Sequence, residues 1–341
     1  MELHTEKRLT ELDVFRGLAA LSVVLFHYTT RFGEMFGYPN HPPAIQFSYG
    51  HYGVEFFFMI SGFVIFLTLN RTKRYQDFVV SRFSRLFPVY WVAVIVSFSV
   101  ISLLGLPGQQ RSLSELIANF SMIQGFFHIN DVDGVYWTLR YELLFYCIML
   151  CIFLSGKISY IEQICAGWLA LQLGAYGIEH FAGYFPWKIK QFLLLEYSHL
   201  FVAGCIFNRV FVNGFTPRRI ALLIAALATE YVIYGISGGI TVTIFFTLFT
   251  LFCLNKLGFL RIRPLIYLGT ISYSLYLTHQ NISYAIFLKL YALHVPQPLV
   301  FLIAFVVAVA IAHLLTFYVE RPAMQYIRRL YRGHKDNRQP A

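Results

Sequence analysis

The chain is expected to be an all-α, polytopic membrane protein, and three observations carry that expectation. Its 341 residues are 57% hydrophobic and only 13% charged, where a soluble domain would carry roughly a quarter charged residues. Apolar runs near 20 residues recur from end to end, the length a helix needs to cross the hydrocarbon core. The alternation of apolar and polar residues over ~10-residue segments that marks a membrane β-barrel is missing.

The first run, Leu12 to His27, carries Asp13, Arg16 and His27 among apolar residues. Ionisable groups cost several kcal/mol in hydrocarbon, so they face a bundle interior or a wet cavity and are functional candidates. Arg16 and His27 are eleven residues apart, which places them on one helix face about 16 Å apart along the axis. Lys7 and Arg8 resemble the start of a signal peptide. No small-x-small cleavage site follows and Arg16 interrupts the run, so it reads as an uncleaved first span.

Further spans are expected at roughly 51–69, 87–105, 136–155, 159–178, 191–208, 219–236, 240–256, 265–288 and 298–319, about ten transmembrane helices in all. The apolar segment 114–127 is too short to cross and reads as interfacial or re-entrant. With the N-terminus inside, most of the 27 basic residues then fall on inner segments. The outer ones hold only Arg31, Arg111, Lys188, Lys190 and Lys289. Counting 114–127 as a span would destroy this positive-inside bias, so both termini are expected in the cytoplasm. Residues 1–325 read as one membrane domain and 326–341 as a basic cytoplasmic tail, lying on anionic headgroups or disordered. The net charge of +10 is thus a topology signal rather than a nucleic-acid footprint. Cys147, Cys151, Cys165, Cys205 and Cys253 lie in apolar runs without metal-ligand spacing and read as small core residues. No metal site is expected.

This topology sorts the polar residues by depth. His27, His51, Glu55, Arg140, Glu142, Glu196, His199, Glu230 and His279 fall in the outer half, whereas Arg16 and the basic inner loop RTKRYQDFVVSRFSR lie opposite. Such a split suits an anionic donor bound from the cytosol and an acceptor waiting outside. Arginine binds phosphate through its rigid fork of donors. An imidazole can take a proton from a hydroxyl or carry an acyl group itself. Glu142 is placed to orient that imidazole or to act as the base. Arg16 also stands one turn from Asp13, with which it can pair.

At these residues the sequence resembles the acyltransferase-3 family of integral membrane O-acyltransferases. LDVFRGLAALSVVLFH resembles the family's first-span signature, with Arg16 and His27. GVEFFFMISGFVIF resembles its second-span motif, with Glu55, Ser61 and Gly62. SRFSRLFPVYW carries the family's paired arginines as Arg82 and Arg85, on the inner loop. VYWTLRYELLFY supplies Trp137 and Glu142, and ISYSLYLTH supplies His279. Tyr318 to Pro322 closes the set. The resemblance implies an acyl-CoA donor, usually acetyl-CoA, as co-substrate rather than resident cofactor. It implies a surface polysaccharide, lipopolysaccharide or lipid-linked sugar as acceptor, and no nucleic acid. Arg16, Arg82 and Arg85 would hold the donor. His27 with Glu142 would do the chemistry, as general base or as acyl carrier. Asp13, Glu55, Ser61, Trp137 and His279 would support the acceptor side. The expected location is the cytoplasmic membrane. A rival reading, an ion-coupled carrier of a polysaccharide precursor, would use intramembrane His and Glu as a proton relay. Carriers often show inverted repeats, and none is visible here.

Overall fold

A computed structural model describes residues 9–39 and 41–336; Lys7, Arg8 and the last residues of the tail lie outside the described residues. Helices are the regular elements throughout. The first half contains α1 (Thr10–Phe26), α2 (Phe32–Phe36), α3 (Gly53–Arg71), α4 (Tyr75–Leu104), α5 (Leu113–Asn119) and α6 (Trp137–Leu154). Then follow α7 (Ile161–Ala182), α8 (Trp187–Phe192), α9 (Ser198–Asn213) and α10 (Pro217–Cys253). The chain closes with α11 (Arg263–Thr278), α12 (Gln280–Ala292), α13 (Gln297–Leu314) and α14 (Arg321–Asp336). Two stretches, His27–Arg31 and Leu315–Glu320, are wound as π-helix.

Six helical stretches among the described residues are long and apolar enough to cross a membrane, fewer than the ten expected spans. The difference has local causes. α9 has only 16 residues, and the expected span 265–288 is broken at His279. The expected loop between 236 and 240 is instead a kink inside α10, where Gly235 takes φ +79°. A glycine is needed there because an L side chain clashes in that region of backbone space.

Residues 75–85, expected as a basic inner loop, form the first turns of α4. Phe78, Leu86, Val89, Tyr90, Ala93, Ser97 and Ile101 are buried at three- and four-residue spacings. That periodicity makes the segment an amphipathic helix despite its arginines. Arg82 and Arg85 therefore project from a helix, not from a loop. The helix even runs through Pro88, at the cost of one backbone hydrogen bond. The cysteines also divide: Cys165 and Cys205 are buried as expected, whereas Cys147 and Cys151, one turn apart on the outer face of α6, are exposed.

The chain forms two compact units interleaved in sequence. The first comprises Met1–Ser22, His51–Leu67 and Gly156–Thr270; the second comprises Val23–Gly50, Thr68–Ser155 and Ile271–Ala341. The first is organised on α9, whose residues from Ser198 to Asn208 are all buried, as befits a helix packed on every side. It crosses α3 glycine on glycine. A Cβ on Gly62 would collide with the Phe201 carbonyl, and one on Gly204 with the Met59 carbonyl. Small residues permit such close backbone approach between membrane helices. Gly204→Leu is therefore expected to destabilise this unit by about 1–3 kcal/mol or more, seen as a lower thermal midpoint in detergent.

In the second unit α4 is the common wall. Its Tyr90 hydroxyl donates to the Asn119 carbonyl (2.7 Å) and its Trp91 indole to that of Phe120 (2.9 Å), fixing the end of α5. α5 is only seven residues long and begins at a capping box formed by Ser112 and Glu115. Of the segment expected as a disordered or headgroup-bound tail, residues 326–336 are helical in α14, which packs along α4. Arg328 donates to Ser84 Oγ (3.3 Å) and to the carbonyl and hydroxyl oxygens of Ser81 (both 3.4 Å).

Candidate active site

The second unit brings two of the expected residues into direct contact. His279 Nε2 lies 2.9 Å from His27 Nδ1, with the ring centroids 4.9 Å apart. Their tautomers follow from what surrounds them. His279 Nδ1 faces the carbonyls of Leu275 (3.1 Å) and Tyr276 (3.0 Å), so it must carry the proton that both accept. In the neutral ring Nε2 is then a bare lone pair. His27 Nδ1, facing that lone pair and the Val23 carbonyl at 2.9 Å, must in turn be N–H. The lone pair of neutral His27 is therefore on Nε2. His27 keeps 9% of its surface accessible and His279 none.

Local backbone geometry makes this pairing possible. His27 opens a π-helical stretch, and its carbonyl accepts from Phe32 N–H, five residues on, and from the Tyr284 hydroxyl (3.2 Å). Such single wide turns tend to occur at functional sites. His279 sits at the break between α11 and α12. There Asp133 accepts from the N–H of Asn281 (3.1 Å), and the Asn281 amide donates to the Val132 carbonyl (3.1 Å). The Tyr276 hydroxyl meets Thr138 Oγ1 (2.8 Å) and the Val135 carbonyl (3.2 Å). The loop before α6 thus clamps the break on both sides of His279. Asp133 and Tyr276 were not among the expected site residues; the one signal for Asp133 was an acid three residues before the expected span, in helix-capping position.

Asp133 lies in a loop, outside the membrane-spanning helices. Burial pushes its carboxyl up to about 7, against the N–H bonds from Asn281 and Val135 that pull it down. The unfolded chain releases this proton near pH 4, so between those values the folded form binds more protons. Stability is expected to fall as pH rises from about 4 to 7 and to level off above. Asp133→Asn should flatten that slope in thermal melts.

A second cluster lies around α4. The Tyr146 hydroxyl donates to Glu142 in a short hydrogen bond, and Arg82 lies beside both. Arg82 Nη2 reaches Ser81 Oγ (3.2 Å) and Thr68 Oγ1 (3.4 Å), while its buried Nε has no hydrogen-bond partner among the described residues. Arg85 and Arg332 lie near Arg328, and Arg328 shares the Ser81 hydroxyl with Arg82. Arg328 escaped notice in the sequence because tail arginines look alike. The group facing His27 Nδ1 is His279, whereas Glu142 accepts from Tyr146. Arg82, two turns inside α4, lies close enough to Glu142 to feel its charge. Tyr273 on α11 neighbours Glu142 and Tyr146. Six residues further along lies His279, about 9 Å away along the axis.

The remaining expected residues are distributed as follows. Trp137 begins α6 and packs edge-on against Tyr141 (5.7 Å). Asp13, Arg16, Glu55 and Ser61 belong to the first unit. There Asp13 pairs with Arg16 at 3.7 Å. Glu55 neighbours Glu230, which holds His199 at 2.6 Å, and its buried Oε2 makes no hydrogen bond among the described residues. Ser61 precedes the Gly62 crossing.

Helices of membrane-spanning length, with a buried, hydrogen-bonded imidazole pair among their residues, define a multi-pass membrane protein. The sequence model of the acyltransferase-3 family, described as an acyltransferase domain, matches residues 9–317, and the chain belongs to that family. It is also similar to the "Exopolysaccharide production protein ExoZ" of Rhizobium meliloti (strain 1021), 26% identical over 181 residues, 50% of this chain and 54% of that protein. The chain therefore spans about half the length of this curated relative. No solved structure matches.

Proposed function

We propose that this chain is an O-acyltransferase of the cytoplasmic membrane. It would move an acetyl or other acyl group from cytosolic acyl-CoA to a hydroxyl of an extracytoplasmic polysaccharide or glycolipid. The observation that carries the proposal is the histidine pair, because its hydrogen bonds leave the lone pair of neutral His27 on Nε2. Membership of the acyltransferase-3 family and the exopolysaccharide role in the relative's name support it.

Arg82, Arg85 and Arg328 bind the donor's phosphates, the planar guanidinium fork matching phosphate oxygens. The donor's flexible arm follows α11 from Tyr273 toward His279. His27 Nε2 then acts in one of two ways. It removes the proton of the acceptor hydroxyl as the oxygen attacks the thioester carbonyl and the CoA thiolate leaves. Alternatively, it attacks that carbonyl itself, expels the thiolate and passes the acyl group on. In both, positive charge builds on the His27 ring, and the Nδ1–H bond to the His279 lone pair disperses it. Purified protein supplied with acetyl-CoA and de-O-acylated exopolysaccharide tests this; transfer by His27→Ala at the wild-type rate would refute it.

A further inference from the structure

We infer that the first unit carries a saccharide-binding cavity, made of none of the residues assigned above. The inference rests on the proposed polysaccharide acceptor for its biological sense, but not for its geometry. The cavity has a volume of about 300 Å³ and lies where the C-terminal half of α7, α8, the start of α9 and the middle of α10 meet. That volume is at the lower end of the range for small-molecule sites.

Its walls combine two chemistries that a sugar ring requires together. Tyr176, Tyr197 and Tyr234 line it, the Tyr234 hydroxyl held by the Glu196 carbonyl (2.5 Å); aromatic surface suits the C–H faces of a pyranose. Tyr176 is backed by a stacked His180 ring (5.9 Å, 20°), and Tyr234 stacks on His199 (5.9 Å, 29°). Glu179, Glu196 and Lys190 line the same space, and carboxylates accept from vicinal hydroxyls. The charge balance argues against phosphate or an anionic headgroup. Lys190 is the one cation in the lining and is already bound to Glu179 at 2.8 Å, while Glu196 adds a further carboxylate. A neutral polyol is the chemistry that fits.

The floor is held rigid from behind. Gln172 Oε1 accepts from Ser198 Oγ (2.7 Å) and from His199 N–H (3.0 Å), while its Nε2 donates to His199 Nδ1 (2.9 Å). His199 Nε2 then donates to Glu230 at 2.6 Å. Both nitrogens of His199 are thus occupied, so this buried His–Glu pair fixes the floor and has no lone pair for chemistry. Four linked buried hydrogen bonds behind one wall pre-organise a site, which lowers the entropic cost of binding.

The test uses the full-length protein in lipid nanodiscs, with no acyl-CoA present. The probe is short oligosaccharides from mild acid hydrolysis of the de-O-acylated exopolysaccharide of the cell that makes this chain. Saturation-transfer NMR should show ring protons of the sugar in contact with the protein. Tyr176→Ala should weaken binding by about tenfold, and Tyr176→Phe, which keeps the ring, by much less. Glu179→Gln changes a half-exposed side chain and should weaken binding several-fold. His27→Ala should bind as the wild type does, which separates loss of this site from loss of the proposed chemistry. The inference is overturned if the wild type gives no saturation transfer or if Tyr176→Ala and Glu179→Gln bind unchanged. It is equally overturned if adding phosphatidylglycerol to the nanodiscs displaces the sugar.

Discussion

His27→Ala is expected to lower acyl transfer by about 10²–10⁴-fold, the usual weight of a positioned acid–base group, with donor binding unchanged. The companion substitution is more discriminating. In the proposed mechanism His279 is a positioning residue: it fixes which nitrogen of His27 carries the proton and receives the charge that develops there. His279→Ala is therefore expected to reduce kcat by about 10–100-fold, the order seen for groups that orient a catalytic imidazole, while the KM for acyl-CoA stays near the wild-type value. His279→Gln can offer its amide oxygen to the same Nδ1–H and should recover part of the loss. A merely structural role for His279 would give loss of folded protein, or equal damage from both variants. Steady-state kinetics on monodisperse protein separates these outcomes.

Arg82→Ala should produce the opposite split. A charge-assisted hydrogen bond from a partly buried guanidinium contributes about 1.5–3 kcal/mol, so the KM for acyl-CoA should rise roughly 10- to 100-fold. kcat should change little, because the phosphates are held equally in ground and transition states. Arg82→Lys should not restore binding, since a lysine lacks the planar fork whose Nη2 lies on Ser81 and Thr68. Arg328→Ala should act in the same direction, because the two arginines share the Ser81 hydroxyl. Binding measured with acetyl-CoA alone checks the assignment; an unchanged affinity in both variants would remove these arginines from the donor site.

Much of the site was legible in one dimension. His27 and His279 stood out because an imidazole among apolar residues must be either satisfied or used. What could not be read was their partnership, which depends on a π-turn at one ring and a helix break at the other. Glu142 was assigned to His27 by depth alone. Depth says nothing about direction around a helix axis, and Glu142 instead turns toward Tyr146 and Arg82. Arg82 and Arg85 were read as loop residues because charge density outweighed the burial pattern on either side of them. Asp133 was invisible for a different reason: its partner is the N–H of Asn281, a backbone group that no side-chain motif announces.

The amino-acid sequence on its own determined the helical membrane class and the residue types available for chemistry. Hydrophobic length and the cost of buried charge are local properties, summed along the chain. The tertiary structure alone decided which imidazole nitrogen keeps a lone pair, which arginines stand together and where a polar cavity forms. Those outcomes depend on hydrogen bonds between residues as far apart as His27 and His279, and only packing brings such groups within 3 Å of each other.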